Sequence, residues 1–98
     1  MKIPVCPTDH AEIPAQVEIA RLVDWGVPID AYLFNAAQVG TRFAASVYFD
    51  RSGVSADGMT VATPPVCDVM KVHGFEMVRS VCGGDHYVIV SRLAEIQK

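Results

Sequence analysis

Three cysteines and three histidines are spaced so that an imidazole follows each thiol within a few residues: Cys6 and His10, Cys67 and His73, Cys82 and His86. Thiolate and imidazole are preferred ligands of zinc, and a thiolate beside an imidazole is also the raw material of a nucleophile. Against a zinc site, no C-x2-C knuckle is present, and each pair belongs to a different local setting. One ion would need a fold that gathers them. The most concrete pair is the last. In Cys82-Gly83-Gly84-Asp85-His86 a three-residue turn would set the thiol across from the imidazole, with β-carbons about 4.5–5.5 Å apart. That proximity would lower the thiol pKa, but catalysis also needs a pocket, an oxyanion site and a group that orients the imidazole. Turn geometry alone accounts for the two glycines. Cys82 and His86 are therefore kept as metal or thiol candidates, with no catalytic residue and no cofactor assigned.

Six of the seven aspartates (Asp24, Asp30, Asp50, Asp57, Asp68 and Asp85) fall near predicted helix ends, in turns or on strands. Capping and turn chemistry explain such positions. Were three of them to share one rim, the patch would steer a basic partner or imitate nucleic-acid phosphates. Asp57 and Asp85 are the candidate contacts of this kind. No G-x-S-x-G, H-E-x-x-H or glycine-rich phosphate loop occurs, so a conventional enzyme is not expected. The rings of Trp25, Tyr32, Phe34, Tyr48, Phe75 and Tyr87 are core material first. Tyr32 and Phe34, in a crowded apolar stretch with few charges nearby, are the candidate exposed anchors of an interface.

The elements that would carry these residues change character near Gly40. Before it the apolar period is helical. Asp9 with Glu12 resembles a capping box, and Pro14 suits a first turn. Ala15, Ile19, Leu22 and Val23 share one face, while Gly26 and Pro28 end the segment, which predicts a helix over about 12–25. The stretch Asp30 to Val39 is apolar nearly all round and predicts a short second helix with Asp30 near its cap. From Arg42 the period is two: Phe43, Ala45, Val47 and Phe49 face one way, which predicts a half-buried strand packed on helical cover. Turns at 50–53 and 55–58 are followed by strands around 59–62, 66–72, 75–81 and 86–92, with breaks at Pro64-Pro65, His73-Gly74 and Gly83-Gly84-Asp85. The expected fold class is therefore α+β: one or two N-terminal helices packed on a C-terminal antiparallel β-meander of about five strands, in one domain over 1–98.

Bulk properties narrow the function. The 98 residues are 51% hydrophobic and only 19% charged, against a usual ~25% charged. Such a chain has few charges to spare, so a partner or a second copy is expected to cover part of its surface. The net charge is −3 and no Lys/Arg cluster exists, which argues against direct nucleic-acid binding. The N-terminus lacks a signal-peptide pattern and no stretch is apolar for the ~18 residues of a membrane span. With the odd, unclustered cysteines, this points to the cytoplasm.

The stretches Val47-Tyr48-Phe49-Asp50-Arg51-Ser52-Gly53, Ala56-Asp57-Gly58-Met59-Thr60-Val61-Ala62-Thr63 and Tyr87-Val88-Ile89-Val90 resemble a pattern in small uncharacterised proteins of bacteriophages and prophages. There, a strand ending in Phe-Asp leads through a glycine turn and an Asp-Gly to a Val-x-Thr strand and a closing Tyr-Val strand. The resemblance covers about residues 47–90 and transfers no catalytic residue. It implies a phage accessory context, in which small proteins without enzyme motifs bind and block a host protein, as anti-CRISPR proteins do. The first expectation is thus a binding module acting on a bacterial host protein or complex. The alternative is a homo-oligomeric structural or assembly protein, at its smallest a homodimer, and a third class is a small metal- or thiol-dependent enzyme built on Cys82 and His86.

Overall fold

Pro14, at φ −59°, caps a seven-residue helix, α1, spanning Ala15–Arg21; a computed structural model of the chain describes residues 13–93. The helix is shorter than the 12–25 expected, and the capping-box residues Asp9 and Glu12 lie outside the described residues. Its inward face also differs. Val17 and Ala20 are fully buried, whereas Ile19 and Leu22, expected to face inward, are 53% and 86% exposed. After Leu22 the chain turns back: the Trp25 indole donates to the Ala20 carbonyl at 3.1 Å, and Asp24 accepts from the Gly26 N–H at 3.0 Å. The ring thus closes the last helical turn and leaves its body for the core.

Six strands follow: β1 (Ala31–Val39), β2 (Arg42–Tyr48), β3 (Thr60–Ala62), β4 (Val66–Val72), β5 (Phe75–Ser80) and β6 (His86–Ile89). They form one sheet in the order β3-β2-β1-β6-β5-β4. The coarse expectation, helix before sheet in an α+β chain, describes this arrangement. Two finer expectations do not. The second helix is instead β1, and the sheet is mixed rather than antiparallel throughout, because β1 pairs with β6 in parallel. Residues 31–39 read as all-round apolar because β1 lies inside the sheet and buries side chains on both faces. A register shift between Phe34 and Ala37, with Asn35 at φ +54°, then reverses the alternation partway along. Ala31 and Leu33 share a face with Ala36, which hides the period of two.

Hairpin turns set the register. The β4–β5 turn places His73 and Gly74 at φ +53° and +83°, the pair of positive φ values that a two-residue I′ turn requires. The β1–β2 turn has Gly40 at φ +63° in its first central position.

The sheet is curled, and the chain dictates that. β3 and β4 are consecutive in sequence but occupy opposite edges, joined only by Thr63-Pro64-Pro65. Across a flat six-stranded sheet those edges would be roughly 24 Å apart, at about 4.8 Å per strand. Four residue steps reach at most ~14 Å. The sheet must therefore roll up until one bent strand closes it. The Thr63 N–H donates to the Phe43 carbonyl and the Val66 N–H to the Thr41 carbonyl, each at 2.8 Å. Inside the roll lie Leu33, Phe43, Ala45, Val47, Val66, Val78 and Ile89. On its outer face Tyr32, Tyr48, Phe75, Met77, Val88 and Val90 pack with Val17 and Ala20 of α1 and with Trp25. Phe43, Ala45 and Val47 are inward as expected, yet they face the interior of the roll, and the helix covers the opposite side. Phe49 departs from that set. At φ +55° it leaves the strand, packs with the helix-side cluster and meets Tyr32 edge-on at 6.3 Å. Among the described residues, no helix is long and apolar enough to cross a membrane.

Candidate functional site

The roll has two open ends, and polar side chains gather at both. At one end a cavity of about 160 Å³ reaches the interior between Leu33, Val47, Val61 and Pro64, with Asp50, Ser55 and Tyr87 among its lining residues. Asp30 builds this end. Its backbone N–H donates to the His86 carbonyl and its carbonyl accepts from the Arg51 N–H, each at 2.8 Å. Its carboxylate accepts from the His86 N–H at 2.9 Å and lies 3.6 Å from the Arg51 guanidinium. One residue before β1 thus fixes the start of β6 and the loop after β2.

Asp50 sits in that loop and accepts from the Ser55 N–H at 2.9 Å and from the Ser52 hydroxyl at 2.9 Å. The backbone N–H of Ser55, more than any other contact, holds the Asp50 carboxyl below its ordinary range. Asp57 ties the same loop down by accepting from the Phe49 N–H at 2.8 Å. Tyr87 is half-buried and its hydroxyl lies 3.5 Å from the exposed Asp85 carboxylate. Burial pushes the Tyr87 phenol above its usual pKa of 10.0, and the charges of Asp85, Asp30 and Asp50 push it further. Asp85 at the Tyr87 hydroxyl, Asp30 at the neighbouring His86 N–H and Asp50 on the same cavity wall thus gather three carboxylates from distant parts of the sequence into an acidic rim, with Arg51 beside Asp30.

At the other end, Arg92 closes the roll. Its guanidinium donates to both oxygens of Glu76, at 3.0 and 2.7 Å, and to the Gln38 side-chain oxygen at 2.8 Å, and it lies 5.1 Å over the Phe43 ring. The Arg92 hydrogen bonds hold Glu76 below its usual range against the opposing effect of burial, with Lys71 adding to them. A shallow cleft of about 500 Å³ outside this pair is lined by Asp68, Val69, Met70 and Lys71, all on the exposed edge strand β4.

The expected site residues separate into distinct places. Tyr32 is a core ring, 8% exposed, because its segment is an interior strand; this corrects its reading as an exposed anchor. Phe34 is half-buried and packs edge-on against Tyr48 at 6.3 Å. Asp57 has its carboxylate engaged with the loop, while Asp85 stands at the acidic rim. Cys82 and His86 do not face each other. The register sets Arg79 opposite His86, and the turn between them is longer than expected: the Ser80 N–H donates to the Asp85 carbonyl at 2.8 Å, while the Ser80 hydroxyl accepts from Gly83 and Asp85. Cys82 is left exposed at the tip of that turn. Cys67 lies across from Arg79 and His73 is in the β4–β5 turn; Cys6 and His10 lie outside the described residues. Among the described residues, no group of three or more His, Cys, Asp or Glu side chains is placed to hold a metal ion.

Sequence reasoning missed Tyr87 as the centre of the rim and the Glu76–Arg92 pair altogether. The rim depends on β6 lying beside β1, which no local pattern announces, whereas the Glu76–Arg92 pair lies across the β5–β6 hairpin that the sequence did predict. Comparison with protein-family models, with curated proteins and with solved structures returns no match.

Proposed function

We propose that this chain is a non-enzymatic binding protein, a phage or prophage accessory factor that blocks a bacterial host complex by contact through its acidic rim. The observation that carries the reading is a gathering of carboxylates at one cavity mouth: Asp85 lies 3.5 Å from the Tyr87 hydroxyl, Asp50 lines the same cavity as Tyr87, and Asp30 accepts from the N–H of the neighbouring His86 at 2.9 Å. An exposed carboxylate beside a half-buried tyrosine, at the mouth of a small apolar cavity, suits a basic partner: the charges steer the encounter and the ring supplies the anchor. The net charge of −3 acts in the same sense. Two further facts support contact over turnover. The thiol and imidazole that resembled a nucleophile and its base are held apart by the hairpin register, and the carboxylates of Asp50 and Asp57 are engaged by backbone N–H groups. The phage context, and with it the anti-CRISPR-like role, rests on the resemblance over residues 47–90.

The test is a titration of purified CRISPR effector nuclease complexes with the chain, following target cleavage and complex formation. Inhibition that saturates at equimolar chain, and that weakens in Asp85→Lys and Tyr87→Ala while both variants stay folded, is the expected result. Binding by no complex in the panel would remove the host-inhibitor reading. Inactivation by far less than one equivalent would replace contact with catalysis.

A further inference from the structure

β4 is a seven-residue strand at the edge of the sheet. Cys67 through Lys71 are exposed without interruption, Val69 and Met70 being 44% and 43% exposed. An edge strand leaves a row of backbone donors and acceptors free to template another strand. What covers this edge is written in its charges. Asp68 lies opposite Val78, Met70 opposite Met77 and Lys71 opposite Glu76, with Val69 inserted as an extra residue. Val78 belongs to the interior face and Met77 to the helix face. Asp68 and Lys71 therefore share the interior face although they are three residues apart, an arrangement that a regular strand with its period of two forbids. The bulge makes it possible.

We propose that two copies of the chain associate through antiparallel β4–β4 pairing about a twofold axis between Val69 and Met70. A twofold axis perpendicular to the sheet keeps each side chain on its own face. Residues paired across it must then share a face, and the bulge lets Asp68 meet Lys71 of the second copy while Val69 meets Met70. The contact is self-complementary: two opposite-charge pairs flank an apolar centre. A bulge and charges ordinarily discourage edge pairing, and two like charges here would do so. Opposite charges related by the axis attract. Among the described residues, neither Asp68 nor Lys71 forms an ion pair within 4 Å in its own chain; each acts on Arg92 or Glu76 only at longer range. The inference does not rest on the host-inhibitor reading, because the acidic rim uses none of these residues.

The test is analytical ultracentrifugation of the wild type, of Asp68→Lys, of Lys71→Asp, and of the two variants mixed. Each variant alone places like charges across the axis and should weaken self-association by about 100-fold. The mixture restores two attractive pairs and should give a one-to-one heterodimer. Hydrogen exchange on the wild type provides a readout free of variants: amide protection in 67–71 should rise with protein concentration. A wild type that stays monomeric at millimolar concentration, a dimer indifferent to both charge reversals, or protection in β4 that does not depend on concentration would each overturn the proposal.

Discussion

Arg92 holds Glu76 by two charge-assisted hydrogen bonds, and the carboxyl in return carries a pH signature. Its pKa in the folded chain lies below the ordinary 4.5. The stabilisation is therefore fully present above that value and is lost as the pH falls through the depressed one. Arg92 is 44% exposed, so solvent screening holds the pair to about 1 kcal/mol. Glu76→Gln should be less stable than the wild type by about that amount near pH 7, and the gap should close in acid, as the pH falls through the depressed pKa. Urea unfolding at both pH values reads the difference; a gap that persists in acid would mean that packing, not charge, holds the site. Tyr87 gives a second residue-scale prediction. Asp85→Asn should lower its titration as followed by tyrosinate absorbance, yet leave it above 10.0, because burial is the larger cause and Asp85 the next. At this scale the sequence made Asp85 readable as an exposed turn residue, since a turn aspartate is visible locally. The Glu76–Arg92 pair spans the β5–β6 hairpin that the sequence predicted, but it was not singled out, because Arg92 lies beyond β6 and also reaches Gln38 of β1.

The short helix shows how far a pattern alone can be trusted. Its apolar residues admit two faces, one through Ala15, Ile19 and Leu22 and one through Ile13, Val17 and Ala20, and the fold uses the second. Val17→Ala should cost about 2 kcal/mol through a cavity under the helix, while Leu22→Ala should stay within about 0.5 kcal/mol. Thermal melts of the two variants distinguish the faces, and equal losses would refute the assignment. The strands from Arg42 onward were legible because each exposes one face or ends in a turn with its own chemistry. β1 was not, for two physical reasons: burial on both faces erases the contrast between polar and apolar positions, and the irregularity at Asn35 shifts what contrast remains. The error then propagated, since Tyr32 looks like an exposed anchor only on a helix.

For the whole molecule, the roll depends on the link between β3 and β4. Thr63 is buried at 4% exposure; its hydroxyl accepts from the Phe43 N–H at 3.0 Å and donates to the Pro64 carbonyl at 2.8 Å. Thr63→Val keeps the shape but leaves the Phe43 N–H without that acceptor, and should cost about 1–3 kcal/mol. Thr63→Ser keeps the hydroxyl and should cost less than half as much. Chemical denaturation of the pair measures the worth of the hydroxyl, and a neutral Thr63→Val would show that the link closes without it. The sequence made the elements and most hairpins readable but not their order, because strand order is decided by which edges can meet, and only the short Pro64-Pro65 link hints at it.

That order has a consequence for how the chain comes into being. β6, made after the other five described strands, lies between β1 and β5 in the sheet and is the seam that joins the β1–β2 hairpin to the β4–β5 one. At about 5–20 residues per second, the stretch from the start of β1 to the start of β6 takes roughly 3–11 s to synthesise. For most of that time β1 waits on the ribosome with one flank uncovered. The two hairpins can form early, but the finished sheet can assemble only after β6 has emerged, and without β6 the two halves are joined through the Thr63–Pro65 link and the Val66–Thr41 hydrogen bond.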